Sequence, residues 1–512
     1  MANALNLDSG VGELSVGSGS ATLSGNIQGE GSPSKSGSGT LTLTGSNSFE
    51  GMGVTEGELF AGSSGALGSG TITLSNGSTL GLTNGEDFDN PVLLEPGTEN
   101  LSVPSGTATL SGAISGDGTA SKMGLGTLAL TNSNTYGALS IVEGELFAGN
   151  AGALGSGTTT ISDGATLGIS PSLEIVNAMS LDAGLATFSI ESGNSTLSGN
   201  ITGSGSVSKT GAGGLTLSGT NGYESLNIVE GEVSAESAGA LGSGTTTLSD
   251  GSTLSLGSGL EVTNEISFDS GTGRLSVPTG TSTLSGTLSG SGQVRKEDSG
   301  TLVLSAANTY ETLIVAAGEL RAENADALGT GTTTVLDGAT LGLSSSLEVS
   351  NSIEISSGTG NFSLETGTST LSGNVSGLGG ANKTGSGTLT LTGTNTFASL
   401  TVAEGELFVG TSDSIGSGQT TVSGGATLGI DAGLELSNAI EINSGEGGVS
   451  VQSGTATLSG VVSGSGSVSK AGSGTLALTE SNTFLSLNIN QGEVLSRNTD
   501  ALGSGTTTLG TV

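Results

Sequence analysis

The sequence predicts an all-β protein, a parallel β-solenoid made of six copies of one 87-residue unit. Three observations carry that prediction. All the lysines of the chain, Lys35, Lys122, Lys209, Lys296, Lys383 and Lys470, stand 87 residues apart with no insertion or deletion between them. Short segments alternate with period two between a fixed apolar residue and a variable one, the pattern of a half-buried strand. Glycine takes 95 of 512 positions, a density that breaks helices. A repeat this regular means one structural unit stacked on itself.

The first strand of the unit is "TLTLT". Leu41 and Leu43 recur as Leu128 and Leu130, Leu215 and Leu217, Leu302 and Leu304, Leu389 and Leu391, Leu476 and Leu478. Between them the residue drifts through Thr42, Ala129, Thr216, Val303, Thr390 and Ala477. The leucines are expected to point inward and the drifting residue outward. An aromatic follows at Phe49, Tyr136, Tyr223, Tyr310, Phe397 and Phe484. Tyr and Phe interchange there, so a packing role is expected rather than ligand stacking. Two residues earlier stands Asn47, Asn134, Asn221, Asn308, Asn395 or Asn482. Asparagine tolerates left-handed backbone and bonds its own turn, so these positions read as corners.

Next comes "GELF" or a variant, with Glu58, Glu145, Glu232, Glu319, Glu406 and Glu493 invariant within the chain. Two residues on, Phe60, Phe147, Ser234, Arg321, Phe408 and Leu495 are so varied that an exposed site is expected. "ALGSG" then places Leu67, Leu154, Leu241, Leu328, Ile415 and Leu502 before a glycine turn. Two more strands flank an Asp-Gly or Asn-Gly turn. A second asparagine series, Asn3, Asn90, Asn177, Asn264, Asn351 and Asn438, opens the next strand. That strand turns Leu7, Leu94, Leu181, Phe268, Ile355 and Ile442 inward.

Three short strands make a solenoid turn, so about eleven or twelve strands per unit predict four turns of about 22 residues each. The whole chain reads as a single continuous solenoid with units 1–87, 88–174, 175–261, 262–348, 349–435 and an incomplete 436–512. At roughly 4.8 Å per turn, about 23 turns would form a rod about 110 Å long. Same-phase charges would then stand about 19 Å apart, beyond the ~8–10 Å Debye length of physiological salt, so the lysine and glutamate columns should not repel along themselves. The lysine itself reads as a solvated corner charge. One antiparallel sandwich domain per copy is the competing architecture, and no linker composition marks its boundaries.

Composition excludes several function classes. Disorder is opposed by 33% hydrophobic residues in strict register. The net charge of −36 repels nucleic acid and anionic membranes. No cysteine provides a disulfide or thiolate metal site, and no histidine provides a catalytic base. No stretch approaches the ~20 apolar residues of a membrane helix. Met1 is followed by "ANALNLDSG", without the basic start and apolar core of a signal peptide.

The segment "VSKTGAGGLTLSGTNGYESLNIVEGEV", Val207 to Val233, resembles the autotransporter-associated, or passenger-associated, β-strand repeat. Lys209, Gly211, Gly213, Leu215, Leu217, Gly219, Asn221, Tyr223 and Gly231 fill its places, and Val233 stands where leucine is usual. The copies at Lys35, Lys122, Lys383 and Lys470 are similar. The copy at Lys296 is weaker, because Glu297 and Asp298 interrupt its glycines. The motif covers about a third of each unit. The resemblance implies a right-handed β-helix on the outside of a Gram-negative-type bacterium, an adhesin or passenger exported through a C-terminal outer-membrane barrel. The chain ends "ALGSGTTTLGTV", without barrel strands, and lacks the side loops common in passengers.

No enzyme is expected, and no catalytic, cofactor-binding or metal residues are assigned. Solenoid lyases and glycosidases need basic residues or paired carboxylates in a cleft with aromatic platforms, and this chain has 3% aromatics. The pairs Glu56–Glu58, Glu143–Glu145, Glu230–Glu232 and Glu404–Glu406 offer oxygen ligands to calcium, but Ala317 and Gln491 break the first column. A solvated acidic turn is the expectation, with no cofactor beyond a weak claim for Ca²⁺. Thr-x-Thr steps lack the strict threonine column of an ice-binding face. The "GSGSG" segments have no following Gly-Lys-Ser/Thr and are not phosphate loops.

The expected role is structural: a rod-like subunit of an extracellular bacterial fibre or surface layer. Its expected partner is itself, stacked head-to-tail through open strand edges, with cell-surface or matrix polymers next, and neither nucleic acid nor inserted membrane. The alternative is a passenger or stalk segment of an autotransporter-like adhesin. An enzyme carried on a solenoid is the third reading.

Overall fold

Parallel pairing of short strands, 18 to 22 residues apart in sequence, builds the whole of the described fold. The computed structural model describes residues 4–75 and 77–510, so Asn3 of the second asparagine series lies outside the described residues. Contacts divide the chain into two units, Met1–Leu254 and Ser255–Val512. In the first, a ten-stranded sheet runs from Ser20–Leu23 to Ile201–Gly203 and a six-stranded sheet from Glu13–Ser15 to Ile114–Gly116. In the second, an eleven-stranded sheet runs from Glu261–Val262 to Val462–Ser463 and a nine-stranded sheet from Glu348–Val349 to Thr507–Leu509. The protein is an all-β parallel solenoid, and antiparallel sandwiches are excluded. Eleven strands, Val92–Leu94 through Glu174–Ile175, complete one period before the pattern restarts at Met179–Leu181.

The period is not a whole number of turns. Leu41 pairs with Leu59, Leu59 with Leu80, Leu80 with Leu101, and Leu101 with Lys122. Those four steps return to the same sheet. The equivalent of Leu41, however, is Leu128, on the following strand and in the adjacent sheet, where it pairs with Ala108 and Leu146. Each copy therefore spans four turns and one further face. A turn averages about 20 residues, because some turns replace a strand with a tight corner. In the first unit Lys35, Lys122 and Lys209 fall in three different sheets; in the second so do Lys296, Lys383 and Lys470. The expected column of like charges four turns apart is replaced by charges on successive faces.

The inward leucines fill the core: all twelve, from Leu41 to Leu478, are buried. So are Leu94, Leu181, Phe268, Ile355 and Ile442, and Leu67 through Ile415 of the "ALGSG" series. The drifting residue is not uniformly free. Ala129, Val303 and Ala477 are buried, because side chains of the adjoining turns cover a short residue on the outer face. The expected exposed site after the invariant glutamate is half-buried at Phe60, Phe147, Ser234, Arg321 and Phe408. There the phenylalanine rings lie across glycines of the next turn: a Cβ on Gly81, Gly168 or Gly429 would come 2.5–2.9 Å from Phe60, Phe147 or Phe408.

The corner asparagines do not bond their own turn, as expected from sequence, but join three successive turns. Asn221 Oδ1 accepts from Ile201 N at 2.9 Å, one turn back, and its Nδ2 donates to Ala240 O at 2.7 Å, one turn forward. Asn134, Asn308, Asn395 and Asn482 repeat the arrangement. None has positive φ. These stretches carry no strand, so the side-chain amide stands in for the peptide group that would continue the ladder. The aromatics beside them are fully buried. Tyr223 donates its hydroxyl to Ala240 O at 2.8 Å, the carbonyl that Asn221 already serves, so phenylalanine is tolerated. Asn395→Ala should therefore cost about 1 kcal/mol more than Asn221→Ala in urea unfolding. Phe397 has no hydroxyl to keep Ser414 O satisfied, whereas Tyr223 still serves Ala240 O.

One core position of the repeat is polar without need. Thr159, Thr246, Thr333 and Thr420 are 0% exposed, and their hydroxyls have no hydrogen-bond partner. The first copy has Ile72 at the same phase, also buried. A buried hydroxyl without a partner costs about 1–3 kcal/mol. Thr159→Val is expected to stabilise the chain by about 1 kcal/mol, read as a higher urea midpoint.

Candidate functional site

The feature most often repeated with chemical content is the lysine corner. Lys209 ends an alternating run in which Val207 points inward, so Lys209 points inward too, in the strand Ser206–Thr210. All six lysines are 0% exposed. This corrects the expectation of a solvated corner charge. The aliphatic stem packs in the core, and the ammonium reaches a cage of main-chain carbonyls at the corner.

Lys209 Nζ donates to Thr210 O (3.0 Å), Gly211 O (2.7 Å) and, across to the next turn, Glu230 O (3.0 Å). Lys296 donates to Glu297 O, Asp298 O and Ala317 O at 2.7–3.0 Å. Lys383 donates to Thr384 O, Gly385 O and Glu404 O, and Lys470 to Ala471 O, Gly472 O and Gln491 O. Lys122 bonds Gly124 O and Glu143 O, and Lys35 bonds Gly37 O and Glu56 O. Three donors meet up to three acceptors, and each lysine ties its own corner to the turn above.

Two glycines make room for the cage. The first is at φ 76–78° in Gly37, Gly124, Gly211, Gly385 and Gly472. Asp298 takes the same place in the fourth copy at φ 61°, its carboxylate accepting from Ser276 Oγ at 2.6 Å. The departure that weakened the sequence pattern therefore leaves the backbone path intact. The second is Gly57 and its equivalents: a Cβ on Gly57 would stand 2.7 Å from Lys35 Nζ and 2.5 Å from Gly37 O.

Burial pushes the Lys122, Lys209, Lys296 and Lys383 ammoniums down to about 8. Lys35 and Lys470 shift the same way and for the same cause. Nearby carboxylates oppose the shift, Glu143 and Glu145 at Lys122 and Glu230 foremost at Lys209. The carbonyl cage also favours the charged form. The ion pairs among the described residues are made by arginines: Arg274 and Arg295 with Glu297, and Arg321 with Glu319.

Five of the six invariant glutamates are not free either. Glu58, Glu145, Glu319, Glu406 and Glu493 accept from Thr40, Thr127, Thr301, Thr388 and Thr475 on the preceding turn at 2.9–3.2 Å. Their partners in the acidic pairs, Glu56, Glu143, Glu230 and Glu404, are exposed. Among the described residues no three acidic side chains gather as metal ligands, and no helix is long and apolar enough to cross a membrane.

The family described as Passenger-associated-transport-repeat matches residues 34–59, 121–146, 207–233, 294–322, 382–408 and 468–495. Each match opens one or two residues before a buried lysine and takes in the invariant glutamate that follows. The six matches, one in each 87-residue copy, together take in about a third of the chain. The lysine cage, the corner asparagine and the buried aromatic are the chemistry of that repeat here. The chain is also 36% identical over 137 residues to the "Adhesin BmaC autotransporter" of Brucella suis biovar 1 (strain 1330). That likeness covers 24% of this chain, which spans 4% of the adhesin. No solved structure matches the chain.

Proposed function

We propose that the chain is a passenger or stalk segment of an autotransporter-like adhesin, a spacer held at the bacterial surface. The observation that carries this reading is the six-fold passenger-associated-transport-repeat match, each copy closed by the same buried lysine cage. The likeness to an autotransporter adhesin supports it. The self-stacking fibre subunit expected from sequence has no such support and gives way to this alternative. A structural role without catalysis fits polar groups that serve neighbouring turns of the solenoid. Antibodies raised against the purified chain should label intact, unpermeabilised source cells. Label that appears only after permeabilisation would sink the proposal.

A further inference from the structure

Glu99 breaks the repeat. It stands in the strand Thr98–Ser102 where the other copies have Gly12, Ala186, Gly273, Gly360 and Gly447. Its side chain is 0% exposed, and neither carboxylate oxygen has a hydrogen-bond partner. A buried carboxylate left alone is among the most costly groups a core can hold.

The oxygens face a corner with other oxygens. Oε2 lies 2.5 Å, and the main-chain carbonyl of Glu95 2.3 Å, from the point where a Cβ of Gly118 would stand. The two oxygens are therefore no more than 4.8 Å apart. Oε1 turns toward Gly97, 2.8 Å from where its Cβ would be. The exposed Glu95 carboxylate, whose Oε2 accepts from Ser75 Oγ on the preceding turn at 2.6 Å, acts on Glu99 by its charge. Burial and the Glu95 charge both hold the Glu99 carboxyl above its usual range, and a bound cation would reverse both effects.

We propose that the Glu99 carboxylate, the Glu95 carboxylate and the Glu95 carbonyl form a calcium site. The donors are all oxygen, in a chain without histidine or cysteine. Ca²⁺ bonds oxygen at 2.3–2.6 Å in irregular geometry and completes its shell with water, so one ion can bridge oxygens of this separation. The site is distinct from the acidic pairs beside the lysine cages and occurs in the second copy alone.

The test is calorimetry of the full chain with CaCl₂ after chelation, beside Glu99→Gly, a residue four other copies carry there. The expected result is one Ca²⁺ per chain at an affinity of about 10⁻⁴–10⁻³ M. Binding should be lost in Glu99→Gly, which should be at least as stable as the parent in EDTA. No binding to the parent, or equal binding to both, overturns the proposal. A parent that gains stability on acidification and ignores Ca²⁺ overturns it too, by showing that Glu99 holds a proton.

Discussion

Lys209→Met is expected to destabilise the chain by about 3 kcal/mol. Methionine fills the space of the stem but leaves Thr210 O, Gly211 O and Glu230 O without the ammonium. Three carbonyls stripped of this donor, at about 2 kcal/mol each, cost roughly 6 kcal/mol. Against this, the substitution removes the penalty of burying the charge. A pKa near 8 instead of ~10.4 marks that penalty at about 3 kcal/mol. The carbonyls win because two of them close a corner that turns at a glycine with φ 77° and are held there by the ammonium. Urea unfolding should show the loss, while exposed Arg497→Met should leave the midpoint unmoved. An unchanged midpoint for Lys209→Met would mean the cage is satisfied in some other way.

Stability is expected to rise between about pH 8 and pH 10 and to fall above it. The folded-state values of Lys122, Lys209, Lys296 and Lys383 are about 8, and unfolded lysine titrates near 10.4. Between those values the unfolded chain binds more protons, so unfolding becomes less favourable as pH rises. The slope is about 1.4 kcal/mol per pH unit for each lysine, and below pH 8 it vanishes because both states are protonated. Tyr136, Tyr223 and Tyr310 reverse the trend. Burial pushes their phenols well above the ordinary range, so above about pH 10 only the unfolded chain ionises them. Thermal melts from pH 7 to 11 check both limbs. Lys35 and Lys470 add to the same limb, so combining Lys122→Met with Lys209→Met should lower it by roughly a third to a half.

The strands, the inward leucines, the buried aromatics and the glycine corners were legible because alternation and comparison of six copies fix which face a residue takes. The burial of Lys209 was legible in the same alternation, since Val207 two residues before it points inward. It was missed because a charge was assumed to seek water, and the carbonyls that receive it lie one turn away. Asn221 was placed at a corner, but its partners Ile201 and Ala240 lie 20 residues back and 19 forward. No local rule supplies contacts at that distance. The extra third of a turn was hidden for the same reason: turns of 18 and of 22 residues carry no separate mark in the sequence.

That extra third bears on how tandem copies are gained and lost. Recombination between in-register copies changes their number by whole units of 87 residues. Because a unit covers four turns and one face, each gain or loss turns every later residue by a third of a revolution about the solenoid axis. Only changes in multiples of three units leave a later surface facing as it did. Copy number in this protein is thus a dial for azimuth as well as for reach, and two alleles that differ by one copy would present the same distal chemistry in different directions.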